Sequence, residues 1–485
     1  MAPSESPTET APNLAFQPAQ PQRWSLFHGF AQAVDSHPAH HELRAWGLLA
    51  VVSLGVAGLF ALLLALSRVP GAGDIFPWPV QFFEKGLVIH VVLSFVVWFL
   101  SVLGALTTIV TYRLSDGWPK LRGLGPLALK GVFAATVLLF VPAWMDRGEA
   151  SLNNYVPVII DPIYYAGLVV LAASLALAVV RLLVNLIGRK GPLEPVTLSV
   201  IAAGLMYLLA LACFALAWLN IAGDASISAM TPAVNEDLFW GGGHILQFVN
   251  VGLLLTAWYV LGGVSLGQPW VRPNLMNWAV LFLVLSSLAG PVLYVVHDAF
   301  SAAQITGFTH LQYMLAPPTV MIAGIGVVSM LKGRGEDSVP WGDPAIHCLL
   351  LSVLVFALGG ALGFYVDGAD TRTPAHYHGV IGGINLAFMG LFFGLILPLL
   401  ERGLKKGKAA ATSAWLYAWG QIFHSLGLFL AGGYGAPRKV ADGTEGIEDM
   451  GATFGLYLMG AGAVIAVIGG VMFIVMVTRA LLKKL

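Results

Sequence analysis

Twelve apolar runs, each about the length of a bilayer crossing, follow one another along this 485-residue chain, and no other feature narrows the fold as much. A hydrocarbon core about 30 Å thick takes roughly 20 apolar residues of helix to cross. Only helices and closed barrels satisfy their backbone groups at that depth. The runs lie near 43–69, 80–112, 126–145, 160–187, 195–221, 238–264, 275–300, 304–331, 344–366, 376–400, 411–432 and 452–482. With only 10% charged residues, the chain cannot be a soluble domain. A formal net charge of zero gives no basic balance that would point to nucleic acid. The expected fold is all-α, a polytopic membrane protein of twelve transmembrane helices forming one domain over residues 41–485.

Residues 1–40 are rich in Pro, Ser, Ala and Gln and read as a mobile cytoplasmic tail without a cleavable signal. The His37-Pro-Ala-His-His41 cluster is read as incidental. Placing the N-terminus inside leaves only Arg68, Lys85, Arg147, Arg372, Arg438 and Lys439 of the 25 basic residues on the outer face. That asymmetry supports an even number of spans with both termini cytoplasmic, as in a bacterial inner membrane. Cys213 and Cys348 stand alone in apolar runs, and no CxxC or CxxCH occurs. Structural zinc and covalently attached haem are thereby disfavoured.

His376 and His378 open the tenth run as Ala375-His-Tyr-His-Gly379. A helix turns about 100° per residue, so positions i and i+2 point to nearly opposite faces. Such a pair can serve two metal centres, one on each side of a single helix. On the expected topology His90, His244, His297, His376 and His378 fall at similar depth on four spans. A lone histidine there is most simply a satisfied core residue. Five at one depth, on helices of both directions, point to ligands.

The chain resembles subunit I of the haem-copper oxidase superfamily, which includes the catalytic subunits of nitric oxide reductases. Four segments carry the resemblance: Val88-Ile-His-Val-Val-Leu-Ser-Phe-Val-Val-Trp98; Leu238-Phe-Trp-Gly-Gly-Gly-His244; Ala375-His-Tyr-His378; and Gly435-Ala-Pro-Arg-Lys-Val-Ala-Asp442, preceded by His424-Ser-Leu-Gly427. It implies two haems, a low-spin one between His90 and His378 and a high-spin one with His376 as proximal ligand. It further implies that His244 and His297 hold a non-haem metal, iron or copper, and that Arg438 and Lys439 contact haem propionates. Arg372 is a weaker propionate candidate. No haem c or cupredoxin sequence is present, so a separate electron-entry subunit, cupredoxin-like or a cytochrome c, is implied.

The departures from the family pattern bear on the substrate. Where typical members carry adjacent histidines in the seventh span, this chain reads His297-Asp298. A carboxylate is a hard ligand and suits iron better than cuprous copper. Asp298 is equally readable as a group orienting His297, or as a polar residue at a helix end. Four residues after His244, where many oxidases have a tyrosine, stands Phe248; Tyr294 on the seventh span is a possible substitute. Leu246 and Ile322 occupy positions where proton-pumping members carry a glutamate and a lysine. The cytoplasmic halves of the spans offer no central acid. Asp116 and Glu194 read as solvated loop residues, while Glu84, Asp298, Asp367 and Asp370 lie nearer the outer face. The expectation is a terminal reductase that couples NO to N2O. The alternatives are an oxidase reducing O2 with Tyr294 at its site, and a haem sensor without turnover. His310, His347 and His424 are read as polar or interfacial residues rather than ligands.

Overall fold

Proline behind a short polar cap starts four of the long helices: Ser36, Asp161, Thr231 and Asp343 each accept a hydrogen bond from a backbone N–H of the first turn. Asp449 does the same for the last helix without proline. These caps satisfy donors that no intrahelical carbonyl reaches, so they mark where the chain commits to helix. A computed structural model describes residues 24–67, 69, 80–332, 339–366, 368–404, 407–439 and 449–483, with 80–82 given as backbone alone.

A short helix α1 (Ser25–Val34) precedes α2 (His37–Leu66). Helix α3 consists of Val80–Val91, a π-helical turn Val92–Val97, and Trp98–Leu114. Next come α4 (Leu124–Trp144), the strands β1 (Ala150–Ser151) and β2 (Val158–Ile159), α5 (Pro162–Leu186), α6 (Pro195–Gly223) and α7 (Pro232–Leu266). Helices α8 (Pro273–Val296), α9 (Ala302–Lys332), α10 (Pro344–Tyr365) and α11 (Arg372–Leu399) follow, α11 with a second π-helical turn at Phe392–Ile396. The described chain closes with α12 (Gly407–Gly433) and α13 (Met450–Leu482).

Two expectations change. Among the described residues, eleven helices rather than twelve are long and apolar enough to cross a bilayer. The expected run 411–432 is a helix of sufficient length, α12, but it carries Thr412, Ser413, Gln421, His424 and Ser425 among its apolar residues. The tail is also shorter than expected. Residues 1–23 lie outside the described residues, whereas Phe27, Phe30 and Val34 of α1 are buried in the main core with Trp24. Their three-to-four-residue spacing is that of one helix face.

Helices α7, α11 and α3 form the interior. Buried residues make up 94, 83 and 78% of their apolar windows, against 28% for α8 and α9 at the periphery. At one level of this interior the two π-helical turns meet, Trp98 stacking on Phe392 at 5.6 Å between Phe388 and Phe473. Trp98 Nε1 donates to Asn385 Oδ1 (2.8 Å), and Asn385 Nδ2 donates to the Tyr417 hydroxyl (2.8 Å).

A buried ion pair also lies where the sequence offered no interior acid. Glu42, inside α2, receives Arg181 of α5 and the hydroxyls of Thr108 and Tyr112. Glu194 is likewise paired rather than simply solvated, with Arg113 at 2.6 Å.

Candidate haem and metal site

His90 and His376 are held in the same way. His90 Nδ1 donates to the carbonyl of Ala57 in α2 (3.0 Å), and His376 Nδ1 donates to that of Gly359 in α10 (2.8 Å). A ring nitrogen that gives its proton to a carbonyl leaves Nε2 with the free lone pair, and this arrangement orients imidazoles on metals. The Gly359 carbonyl is within reach because α10 and α11 cross backbone on backbone. A Cβ built on Gly379 would lie 2.5 Å from the Gly359 Cα. Gly363, at the end of α10, leaves room for the His376 ring, since a Cβ there would lie 2.7 Å from Nδ1.

The histidine ends of α3 and α11 stand at matching heights. His90 is eight residues before Trp98 and His378 is seven before Asn385, the pair that joins the two helices. At about 1.5 Å per residue both histidines sit roughly 10–12 Å from that bond. His376, Tyr377 and His378 are partly accessible although Ala375 and Gly379 beside them are buried; His90 is partly accessible beside buried Val88 and Ile89. Imidazoles with fixed tautomers suit haem iron, so His90 and His376 fit the haems that the resemblance implies, and His378, two residues beyond His376, lies on the other side of the same helix. His424 packs edge-on against His378, ring centres 4.5 Å apart, and gives its own Nδ1 proton to Met459 O.

Arg438 and Lys439 are drawn to the β1–β2 hairpin between α4 and α5. The tip residue Asn154 donates from its backbone and side chain to Glu236 (2.9 and 2.6 Å) and accepts from Arg438 (2.8 Å). Lys439 Nζ donates to the Leu152 carbonyl. Burial, reinforced by Arg438, pushes the Lys439 ammonium down to about 8, with Glu236 opposing. Arg372 is paired with Asp370 at 2.7 Å.

The residues expected around the second metal are not brought together. His244, on enclosed α7, is 1% exposed, while His297 and Asp298 follow the last turn of peripheral α8 and are exposed. Helix α8 ends at Val296 because His297 is extended (φ −128°, ψ 149°), and the preceding Val295 and Val296 are 83 and 60% exposed. His297 and Asp298 line an open surface cleft with Asn220 and Tyr294. Among the described residues no three His, Cys, Asp or Glu side chains are grouped to hold a metal ion.

Both nitrogens of His244 have partners. Nδ1 donates to the carbonyl of Trp240 (2.7 Å), so the neutral ring accepts at Nε2, where the Tyr155 hydroxyl stands at 3.0 Å. Tyr155 is the neighbour of Asn154 at the hairpin tip. Burial pushes its hydroxyl pKa up, with Glu236 and Tyr377 adding to the shift, so the phenol stays protonated. Sequence reasoning missed this residue because the contact spans 89 positions and joins a helix to a loop without periodicity. The signal available was Gly241-Gly-Gly243. A Cβ at Gly241 would meet the Tyr294 hydroxyl, at Gly242 the Phe214 ring, and at Gly243 the Tyr155 Cβ. Phe248 is buried within the bundle, and Tyr294 packs on Phe308, which packs in turn on His244.

The profile of a family described as Cytochrome C and Quinol oxidase polypeptide I matches residues 43–472. An uncharacterized protein of Rickettsia prowazekii is 26% identical, over 89% of this chain and 94% of its own length. An uncharacterized protein of Aquifex aeolicus is 30% identical, over 72% of this chain and 83% of its own. Cytochrome c oxidase subunit 1 of Thermus thermophilus is 24% identical, over 84 and 79%. Among solved structures, a heme-copper terminal oxidase dimer superposes with a TM-score of 0.76 at 16% identity, covering 93% of this chain and 85% of that one.

Proposed function

The chain belongs to the cytochrome c and quinol oxidase polypeptide I family, and on that premise we propose that it is the haem-bearing membrane subunit of a terminal reductase acting on a small gaseous oxidant. Membership implies haems and, generally, a binuclear metal centre. In this reading His90 and His378 would hold a low-spin haem, and His376 would hold a second one. The observation that carries it is the matched pair of imidazoles, His90 and His376, each partly accessible within a buried stretch and each with Nδ1 fixed on a carbonyl of a neighbouring helix, which leaves Nε2 as the free lone pair. Bound haem would supply one-electron transfer and the iron that binds a diatomic substrate. The chain's own residues hold the rings neutral, exclude bulk water through α3, α7 and α11, and set Arg438 and Lys439 near the haem edge. Electrons arrive from a separate entry subunit, cupredoxin-like or a cytochrome c.

Nitric oxide is the narrower reading. Of the three sequence arguments for it, those from Phe248 and from the proton-path positions Leu246 and Ile322 rest on residue identity alone, and all three of these side chains are apolar and buried. The argument from Asp298 loses its geometric basis, because that carboxylate is exposed while His244 is enclosed. Dioxygen is a second reading, and Tyr155 favours it by restoring a phenol beside His244. Electrode assays on the purified chain with its donor separate them: consumption of NO with N2O formed supports the first, and O2 consumption without NO turnover supports the second. A haem-replete protein that consumes neither gas overturns both.

A further inference from the structure

In the family's general arrangement the group facing the high-spin haem is a second metal. We infer that in this chain the position is held by a hydrogen-bonded phenol–imidazole pair, Tyr155–His244, in place of a metal. The inference rests on the proposed haem at His376.

Three observations carry it. The first is the state of His244. Its Nδ1 proton is committed to Trp240 O, and its Nε2 lone pair, the site any metal would need, receives the Tyr155 O–H. The second is the donor set. Zinc sites, structural and catalytic, take four or three protein ligands; here the two groups expected beside His244, His297 and Asp298, sit exposed at the end of a peripheral helix. No third donor replaces them among the described residues.

The third is that Tyr155 is seated by design of the surrounding chain. Gly243 precedes His244 in mid-helix, where glycine is less favourable than alanine. A Cβ there would lie 2.5 Å from the Tyr155 Cβ, so glycine is what lets the ring approach. Tyr155 itself takes a left-handed backbone conformation (φ 64°), rare for a bulky residue and sustained only when the surroundings enforce it. Glu236 and Arg438 grip Asn154 beside it, and Lys439, also left-handed (φ 64°), grips Leu152. The same hairpin tip thus ties the expected propionate cations to the His244 pair. Helix α7, which carries His244, packs directly against α11, which carries His376 and His378.

The test uses the full chain, purified without chelator from cells supplied with iron and copper. Metal analysis is set against haem content, and the isolated protein is then titrated with ferrous and cuprous ions. All iron is expected in haem, with no further metal bound in a one-per-chain ratio. In the infrared spectrum of the CO adduct of the reduced protein, Tyr155→Phe is expected to move the C–O band. Gly243→Ala, which keeps the phenol but unseats it, is expected to move the band as well, whereas Tyr313→Phe, at an exposed tyrosine, leaves it in place. A tightly bound third metal lost in His244→Ala, or a C–O band indifferent to both Tyr155→Phe and Gly243→Ala, overturns the inference. Haem content on the same samples separates the failures: a chain without haem refutes the proposed function itself, whereas a haem-replete chain with a third metal refutes only the pair.

Discussion

His376 on α11 and His297 on α8 are both histidines that the sequence sets at the edge of a membrane span, yet their surroundings differ in every respect that matters to a ligand. His376 lies on an enclosed helix, its Nδ1 held by a carbonyl that a glycine crossing delivers. His297 lies past the end of a helix with only 28% of its apolar window buried, in extended backbone, beside two exposed valines. A ligand is made by what fixes the second nitrogen and excludes water, and depth along the sequence supplies neither.

Removing the first kind of histidine has the largest expected effect. His376→Ala is expected to lose one of the two haems and CO binding while the low-spin spectrum persists. His90→Ala is expected to lose the low-spin spectrum instead; if both variants keep their full haem complement, the contrast with His297 collapses. A smaller effect is expected from Gly379→Ala. Its Cβ would press on the Gly359 backbone, overpacking of a kind that costs about 1–3 kcal/mol, read as a lowered melting temperature and a weakened His376 haem spectrum.

Lys439 offers a subtler probe. Its ammonium titrates near 8 in the folded chain against an ordinary 10.5, burial being the main cause. Between those values the unfolded chain binds more protons, so this residue makes stability rise with pH from about 8 upward. Lys439→Met is expected to flatten that rise in thermal melts recorded across the interval. The least effect belongs to His297→Ala with Asp298→Asn. Exposed changes of this kind stay within about 0.5 kcal/mol, and haem content is expected to be unchanged; a lost haem or a lost equivalent of metal would bring α8 back into the site.

Most of the architecture was legible because a bilayer imposes length and apolarity on each crossing, and those are local properties. The histidines on α3, α7 and α11 were legible for a related reason: an ionisable group inside an apolar run is a conspicuous exception. Helix α1 was legible in principle, since Phe27, Phe30 and Val34 repeat on one face, but the proline-rich composition around them masked it. Glu42 stands just outside the run expected at 43–69 but inside the helix that begins at His37, and its partner Arg181 is 139 residues away. Tyr155 and the exposure of His297 were not legible, because one depends on a distant loop and the other on where a helix stops.

The two π-helical turns, Val92–Val97 and Phe392–Ile396, have a bearing on how relatives of this chain are to be aligned. A π turn holds one residue more than an α turn, and such turns are frequent beside functional sites. Each therefore acts as a one-residue insertion that rotates everything after it by about 100° relative to the histidines before it. The two insertions face each other across the Trp98–Phe392 stack. Against a relative whose helices are α throughout, a gapless comparison would match the histidines on α3 and α11 and then misplace the inward-facing residues beyond them. Two single-residue gaps, placed as a pair, are the evolutionary unit to look for.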